Sequence, residues 1–182
     1  MSQDVEFLTI NETKALRKQV DDTRDLAIIN LFLGAGLLVN EIIDLKSADL
    51  DFKNKRLNIP GIKQRRIPLN DQVYESLAQW SKERINAFCS NFFLTTKGKV
   101  RPLSVRSVDK IIRKYAKRAN LKRSINATIL RNTFAVNLFS QEISVSEASQ
   151  ILGISDSKAI NRYIQTAKLK SPQPRQPNPL SH

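Results

Sequence analysis

The side chains in this sequence that could do chemistry are mostly cationic, and they are clustered. Residues 53–66 hold six bases and no acid, and residues 97–131 hold twelve bases against Asp109 alone. Residues 1–51, by contrast, hold ten acids and five bases, so the net charge of +13 is concentrated rather than spread. Positive charge gathered in this way suits a polyphosphate partner, because each neutralised phosphate releases counterions and adds salt-dependent affinity. A solvated helix face explains any single cluster; two clusters in one chain favour nucleic acid. The sole histidine is His182 and the sole cysteine Cys89. A Ser/His/Asp or Cys/His nucleophile pair and the common histidine-based metal sites need an imidazole held inside a fold, so those classes are set aside. One thiol makes no internal disulfide, and Cys89 reads as a small apolar filler beside Phe88. No acidic constellation stands at a recognisable metal-binding spacing, and no cofactor is expected.

The most patterned stretch is residues 128–163. Its front end places Ile129, Leu130, Phe134, Leu138 and Phe139 at three- and four-residue spacing, an apolar helical stripe that leaves Arg131 and Asn132 free to point elsewhere. Its back end, from Val145, runs helix, Gly153, the capping candidates Ser155 and Asp156, then a second helix carrying Arg162 and Tyr163. One reading of this back end is a DNA-reading helix-turn-helix, with Ala148, Gly153 and Ile160 at the tight-packing positions.

Elements upstream must position that stretch. Thr9 and Glu12 form a capping box for a first helix to about Gln19, and a second, more buried helix runs from Arg24 to the break at Gly34-Ala35-Gly36. A short helix over residues 39–45 leads to a strand near Leu50, and residues 51–59 and 64–69 read as a small antiparallel sheet punctuated by Pro60-Gly61. Asn70 and Asp71 cap a helix over Val73, Leu77, Trp80 and Ile85, with Phe92-Phe93-Leu94 a short buried segment after it. Residues 104–119 form an amphipathic helix with Val108, Ile111, Ile112 and Tyr115 inward and Arg106, Lys110, Arg113, Lys114 and Lys117 outward. One domain over residues 1–168 is expected. Residues 169–182, with four prolines between Pro172 and Pro179, are expected to be a disordered Pro-rich tail. No apolar run approaches a membrane span and no leader is read in the first residues, so the expected location is cytoplasmic.

Three stretches, in order, resemble the catalytic domain of the tyrosine recombinase (phage integrase) family. Leu130, Arg131, Thr133, Phe134, Ala135, Leu152, Gly153, Ser155 and Tyr163 fall on the family run His-x-Leu-Arg-His-Thr-Phe-Ala, Leu-Gly-His-Ser and Tyr. Gly36, Leu37, Glu41, Leu45, Asp49 and Asp51 fall on Thr-Gly-Leu-Arg-Ile-Ser-Glu-Leu-x-x-Leu-x-x-x-Asp-Ile-Asp, and Pro68 on the Arg-x-x-Pro-Leu that ends the small sheet. The resemblance implies an α+β, mainly α fold: a helical bundle with an antiparallel sheet of two or three strands. It also implies DNA strand exchange by attack of the Tyr163 oxygen on a phosphodiester, resealed by a free 5′-hydroxyl with no metal or nucleotide spent. Tyrosine ionises near pH 10 and the leaving alkoxide is worse still, so such a site needs cationic donors on the phosphate and an acid for the leaving group.

Most of those donors are replaced. On the family pattern the first arginine is Leu38, the lysine of the sheet turn is Pro60, the histidine before the second arginine is Thr128, and the residue after Leu-Gly is Ile154. Arg131 and Tyr163 are retained, and Lys63, three residues past Pro60, is the candidate substitute acid. Arg65, Arg66, Arg106, Lys110, Arg113, Lys114 and Lys117 are the expected DNA contacts. The expectation is a recombinase-family DNA-binding protein that cleaves weakly or not at all. Its expected partners are double-stranded DNA and, on that DNA, a second copy or an active recombinase. The alternatives are an active integrase with rewired acid and base groups, or a helix-turn-helix transcriptional regulator.

Overall fold

A computed structural model describes residues 5–84, 89–141 and 143–170. Helix α1 (Ile10–Lys18) begins where the sequence places it: Thr9 Oγ1 accepts from the Glu12 amide at 3.2 Å, and Glu12 accepts from the Thr9 amide at 2.7 Å. Helix α2 (Thr23–Ala35) is capped by Asp22 and is fully buried from Ala27 to Ala35. It is the central rod of the bundle, lying against both α4 (Asp71–Glu83) and α6 (Ala127–Phe139). Helix α2 ends at Gly36, whose φ of +63° is a left-handed conformation that favours glycine.

After α3 (Val39–Asp44) and a short 3₁₀ turn at Ser47–Asp49, the chain makes three strands: β1 (Leu50–Asp51), β2 (Arg56–Ile59) and β3 (Arg65–Pro68). They pair antiparallel in the order β1-β2-β3, with Leu57 opposite Ile67 and Ile59 opposite Arg65. Along β3, Arg65 and Ile67 are buried while Arg66 and Pro68 are exposed, the two-residue alternation of a strand packed on one face. Helix α4 closes at Glu83; Ile85, expected to continue it, and Phe88 lie outside the described residues. Phe92, Phe93 and Leu94 are buried, and the Trp80 indole donates to the Phe92 carbonyl at 3.1 Å. Cys89 is half-buried, its thiol 3.4 Å from Asn91 Oδ1.

Helix α5 (Val105–Arg118) turns Val108, Ile111, Ile112, Tyr115 and Ala116 inward. The Tyr115 hydroxyl lies 3.0 Å from both the Asp21 and Asp25 carboxylates and accepts from Lys114 Nζ at 2.8 Å. Burial, with the two carboxylates, pushes the Tyr115 phenol far above its ordinary value. The remaining helices are α6, α7 (Val145–Leu152) and α8 (Ser157–Lys170). They share a second, smaller apolar cluster of Ala135, Leu138, Ala148 and Leu152, with Phe134, Phe139, Ile154 and Tyr163 packed around it. Helix α8 runs to Lys170, two residues past the expected domain end, and residues 171–182 lie outside the described residues. No helix among the described residues is long and apolar enough to cross a membrane.

Gly36 joins the two cores. A Cβ placed there would lie 2.3 Å from Phe134 Cδ1 and 3.0 Å from Leu152 Cδ2, on a backbone where side chains are strained. Left-handed strain of about 1–2 kcal/mol and overpacking of about 1–3 kcal/mol give an expected loss of about 2–5 kcal/mol for Gly36→Ala. Urea denaturation of the full chain measures it, and a loss below 1 kcal/mol (about a fivefold change in the unfolding constant) would contradict the packing described here.

Candidate nucleic-acid and phosphoryl-transfer site

The site is built around the end of α7. That helix closes on Gly153, again left-handed at φ +64°, and leaves the carbonyls of Ile151 and Leu152 without helical partners. Two arginines take them. Arg65 Nε, from β3, donates to the Ile151 carbonyl at 2.9 Å, and Arg131 Nη2, from α6, donates to the Leu152 carbonyl at 2.8 Å. Arg131 Nη1 reaches the other way and donates to the Gly36 carbonyl at 2.6 Å. The Arg65 guanidinium also passes beneath Gly153, where a Cβ would stand 3.1 Å from Nη1.

Glu41 lies with both cations. Its carboxylate accepts from Arg65 Nη1 at 2.7 Å and Nη2 at 2.9 Å, and from the Leu38 amide at 2.8 Å. The Arg65 side chain is 2% exposed and that of Glu41 16%, so this is a buried, two-pronged ion pair. Burial alone would raise the Glu41 carboxyl. The hydrogen bonds from Arg65 and the Leu38 amide, with the charges of Arg65 and Arg131, outweigh it and hold the group below the ordinary carboxylate range. Arg131 is itself lowered by burial, with Glu41 offsetting part of that and Arg65 adding to it.

Tyr163 sits on α8, half-buried and stacked on Phe139 with centroids 6.1 Å apart. Its hydroxyl donates to Asn132 Oδ1 at 2.7 Å. Burial raises its pKa, while the cations of Arg131 and Arg162 act to lower it; the net shift is upward. Arg131 and Tyr163 are therefore brought within electrostatic reach, but the phenol is hydrogen-bonded to Asn132. A 220 Å³ pocket opens at Tyr163, lined by Val5, Glu6, Thr128, Asn132, Ala159 and Arg162.

The other expected site residues fall into two groups. Arg106, Lys110, Arg113 and Lys117 are exposed at spacings of four, three and four residues, one stripe along α5, with Arg113 also paired to Asp109 at 2.9 Å. Lys63 and Arg66 are exposed on the β2–β3 hairpin, next to Ile62, whose side chain is fully solvent-exposed at the turn. Arg65 departs from the expectation. Arg65 faces inward because strand alternation puts it on the side of Ile67, opposite Arg66, and its donors are consumed by Glu41 and Ile151. Lys114 is exposed on α5, its ammonium bonded to the Tyr115 hydroxyl and within 4 Å of Asp21 and Asp25. The larger cleft, about 750 Å³, lies between the sheet and α7 and includes Pro60, Arg66 and Gln150, but neither Arg131 nor Tyr163. Leu38, at the pattern position of the first arginine, is 44% exposed at the start of α3. Among the described residues no group of three or more His, Cys, Asp or Glu converges as a metal site.

A mainly helical domain with a small three-stranded antiparallel sheet, two arginines closing the end of one short helix and a tyrosine on the helix that follows, is the architecture of a recombinase-type catalytic domain. The chain belongs to the phage integrase family, which it matches over residues 6–170. It is 29% identical over 152 residues to a tyrosine recombinase of Agathobacter rectalis, covering 81% of this chain and 49% of that protein. To the tyrosine recombinase XerC of Caldanaerobacter subterraneus subsp. tengcongensis it is 29% identical over 185 residues, covering 96% and 51%. The chain thus spans about half the length of the curated relatives it matches. Among solved structures, XerA recombinase has a similar fold (TM-score 0.83, 21% identity, 93% of this chain and 62% of that one). So does XerH recombinase bound to a palindromic difH substrate (TM-score 0.77, 21% identity, 92% and 52%).

The Glu41–Arg65 pair sets a pH dependence. Because the folded Glu41 carboxyl titrates below its unfolded value, its stabilisation is fully present above about pH 4.3 and is lost as pH falls through the folded value. Glu41→Gln, which leaves a buried guanidinium without its charge partner, should cost about 3 kcal/mol at pH 7. Urea denaturation should show the gap between variant and wild type narrowing below about pH 4. A gap that stays constant to pH 3 would contradict the assignment.

Proposed function

We propose that this chain binds double-stranded DNA as a tyrosine-recombinase-type domain and that its strand-cleaving chemistry is degraded. The observation carrying the second half is the surroundings of Arg131. Both Nη atoms of Arg131 are bonded to backbone carbonyls, and the apolar, exposed Leu38 stands at the position where the family pattern has a second guanidinium. Pro60 and Ile154 offer no acidic proton, and Thr128 offers only a neutral hydroxyl. Removing one positioned cationic donor lowers such rates by about 10²- to 10⁵-fold and removing an acid or base by about 10²- to 10⁴-fold; the losses are not multiplicative, yet together they leave little turnover.

The DNA half rests on the outward stripe Arg106, Lys110, Arg113 and Lys117 and on the exposed pair Lys63 and Arg66. Arg113 is shared with Asp109 only across a solvent-exposed pair, a contact worth at most about 1 kcal/mol, so a phosphate can compete for it. The similarly folded XerH recombinase was determined bound to a palindromic difH substrate, which supports a DNA partner for this chain. Recombination, whether carried out by this chain or by an active relative sharing its DNA, is the process to which we assign it. A cytoplasmic location and a single domain, carried from the expected end at residue 168 to the end of α8 at Lys170 and followed by Pro-rich sequence, belong to the same proposal.

The rewired-integrase alternative is favoured by one observation, the exposure of Lys63 on the hairpin turn, from which an ammonium could serve a leaving group. Two measurements decide. Fluorescence anisotropy with a short duplex should give an affinity that falls steeply with salt, and Lys110→Ala with Lys117→Ala should each reduce the log–log slope by about one. Nicked suicide duplexes drawn from sequences the chain selects in a random pool should yield little or no covalent adduct. An adduct that is lost in Tyr163→Phe would overturn the degraded-chemistry reading, and its further loss in Lys63→Ala would establish the rewired one. Affinity indifferent to salt would overturn DNA binding itself.

A further inference from the structure

Asn132 is the one polar side chain hydrogen-bonded to the Tyr163 hydroxyl among the described residues, and its orientation is determined. Its Nδ2 donates to the Glu6 carbonyl at 3.0 Å. A backbone carbonyl can only accept, so the amide nitrogen must face residue 6 and Oδ1 must face Tyr163. The phenol is then forced to be the donor. The segment that imposes this, residues 5–8, is itself tied down: the Leu8 amide donates to Thr133 Oγ1 at 2.8 Å, and Arg123 donates to the Phe7 carbonyl.

We propose that Asn132 is a positioning residue for Tyr163, its amide holding the phenol protonated and directed at the side chain that residues 5–8 orient. The inference rests on the reading of Tyr163 as the tyrosine that would meet a phosphate. An amide oxygen accepts a hydrogen bond but does not take up the proton near neutral pH, so the contact favours the phenol over the phenolate. The family pattern carries histidine at this position, a group that can accept a proton outright; asparagine keeps the acceptor and loses the base. The charged groups facing Tyr163 are Arg131 from α6, Arg162 from α8 and Glu6 from the amino-terminal segment. Burial raises the phenol, and the two arginines, which favour ionisation, offset only part of that. The coupling also runs outward, since anything that lifts residues 5–8 frees the amide to rotate and releases the hydroxyl.

The test is an NMR titration of the full chain, without DNA, labelled with ¹³Cζ-tyrosine. The sequence has three tyrosines, Tyr74, Tyr115 and Tyr163, and Tyr163→Phe assigns the signal of interest. Asn132→Leu should lower the Tyr163 midpoint by about half a unit to one unit, a 3- to 10-fold rise in its ionisation constant, because the neutral form loses its acceptor. Asn132→Asp should raise it, because a carboxylate adds negative charge beside the oxygen. The Tyr115 resonance, held by Asp21 and Asp25, reports that each variant is folded. Should Asn132→Leu fail to fold, Asn132→Ser, too short to reach the hydroxyl, is expected to lower the midpoint likewise. A midpoint unmoved by the loss of the amide, or moved in the same direction by Leu and Asp, overturns the proposal. Absence of a covalent adduct with DNA bears on the function proposed above and leaves this titration untouched.

Discussion

Two cations closing the end of one short helix hold this domain together. Helix α7 has only eight residues, and its last carbonyls carry the negative end of the helix dipole with no partner inside the helix. Arg65 supplies one donor from the sheet and Arg131 another from α6, so the sheet, α6 and α7 meet at one helix end. Through its second donor to the Gly36 carbonyl, Arg131 adds the end of α2, the central rod. Charge-assisted bonds of this kind are stronger than neutral ones and are directional, which pins α7 more tightly than its small apolar contact could.

Placing two guanidinium groups this close carries an electrostatic cost, and Glu41 offsets it. The carboxylate is bonded to Arg65, and its charge also acts on Arg131, while each arginine opposes the other. This triad explains why the α2–α3 corner, the sheet and α6 keep their relation even though Leu38 and Pro60 carry none of the groups the family pattern has there. The framework of the site and its reactive groups are physically separable: Glu41, Arg65, Gly36 and Gly153 serve the first, and their interactions are complete without the second.

Much of the fold was legible in the sequence because its signals are local. The Thr9–Glu12 capping box, the Asn70 cap, the glycine stops at Gly36 and Gly153 and the apolar stripe of α5 each act within a few residues, and each element forms where its signal stands. The site was legible only in part. Arg65 was grouped with Arg66 by charge, although strand alternation, with Ile67 inward, places the two arginines on opposite faces. The Arg-x-x-Pro-Leu run matched at Pro68 puts its arginine at Arg65, a second available signal that this residue differs from Arg66. Lys114 is exposed as the helical stripe indicates, but the acids it meets, Asp21 and Asp25, lie some ninety residues earlier and leave no local trace. Asn132 stands where the family pattern has the histidine after the arginine, but its bond to Tyr163, 31 residues on, has no local signal.

By itself, then, the sequence determined the helical periodicities, the caps and turns, the concentration of positive charge and the family positions now occupied by Leu38, Pro60, Thr128 and Ile154, all properties of short stretches of chain. Tertiary structure alone decided which cations remain available to a partner and which are spent inside. Arg65 and Arg131 are committed to carbonyls more than eighty and twenty residues away in the chain, and the Tyr163 hydroxyl to an amide whose orientation depends on Glu6. A donor's partner is selected by the packing of distant elements, and the side chain's chemical type carries no record of that choice.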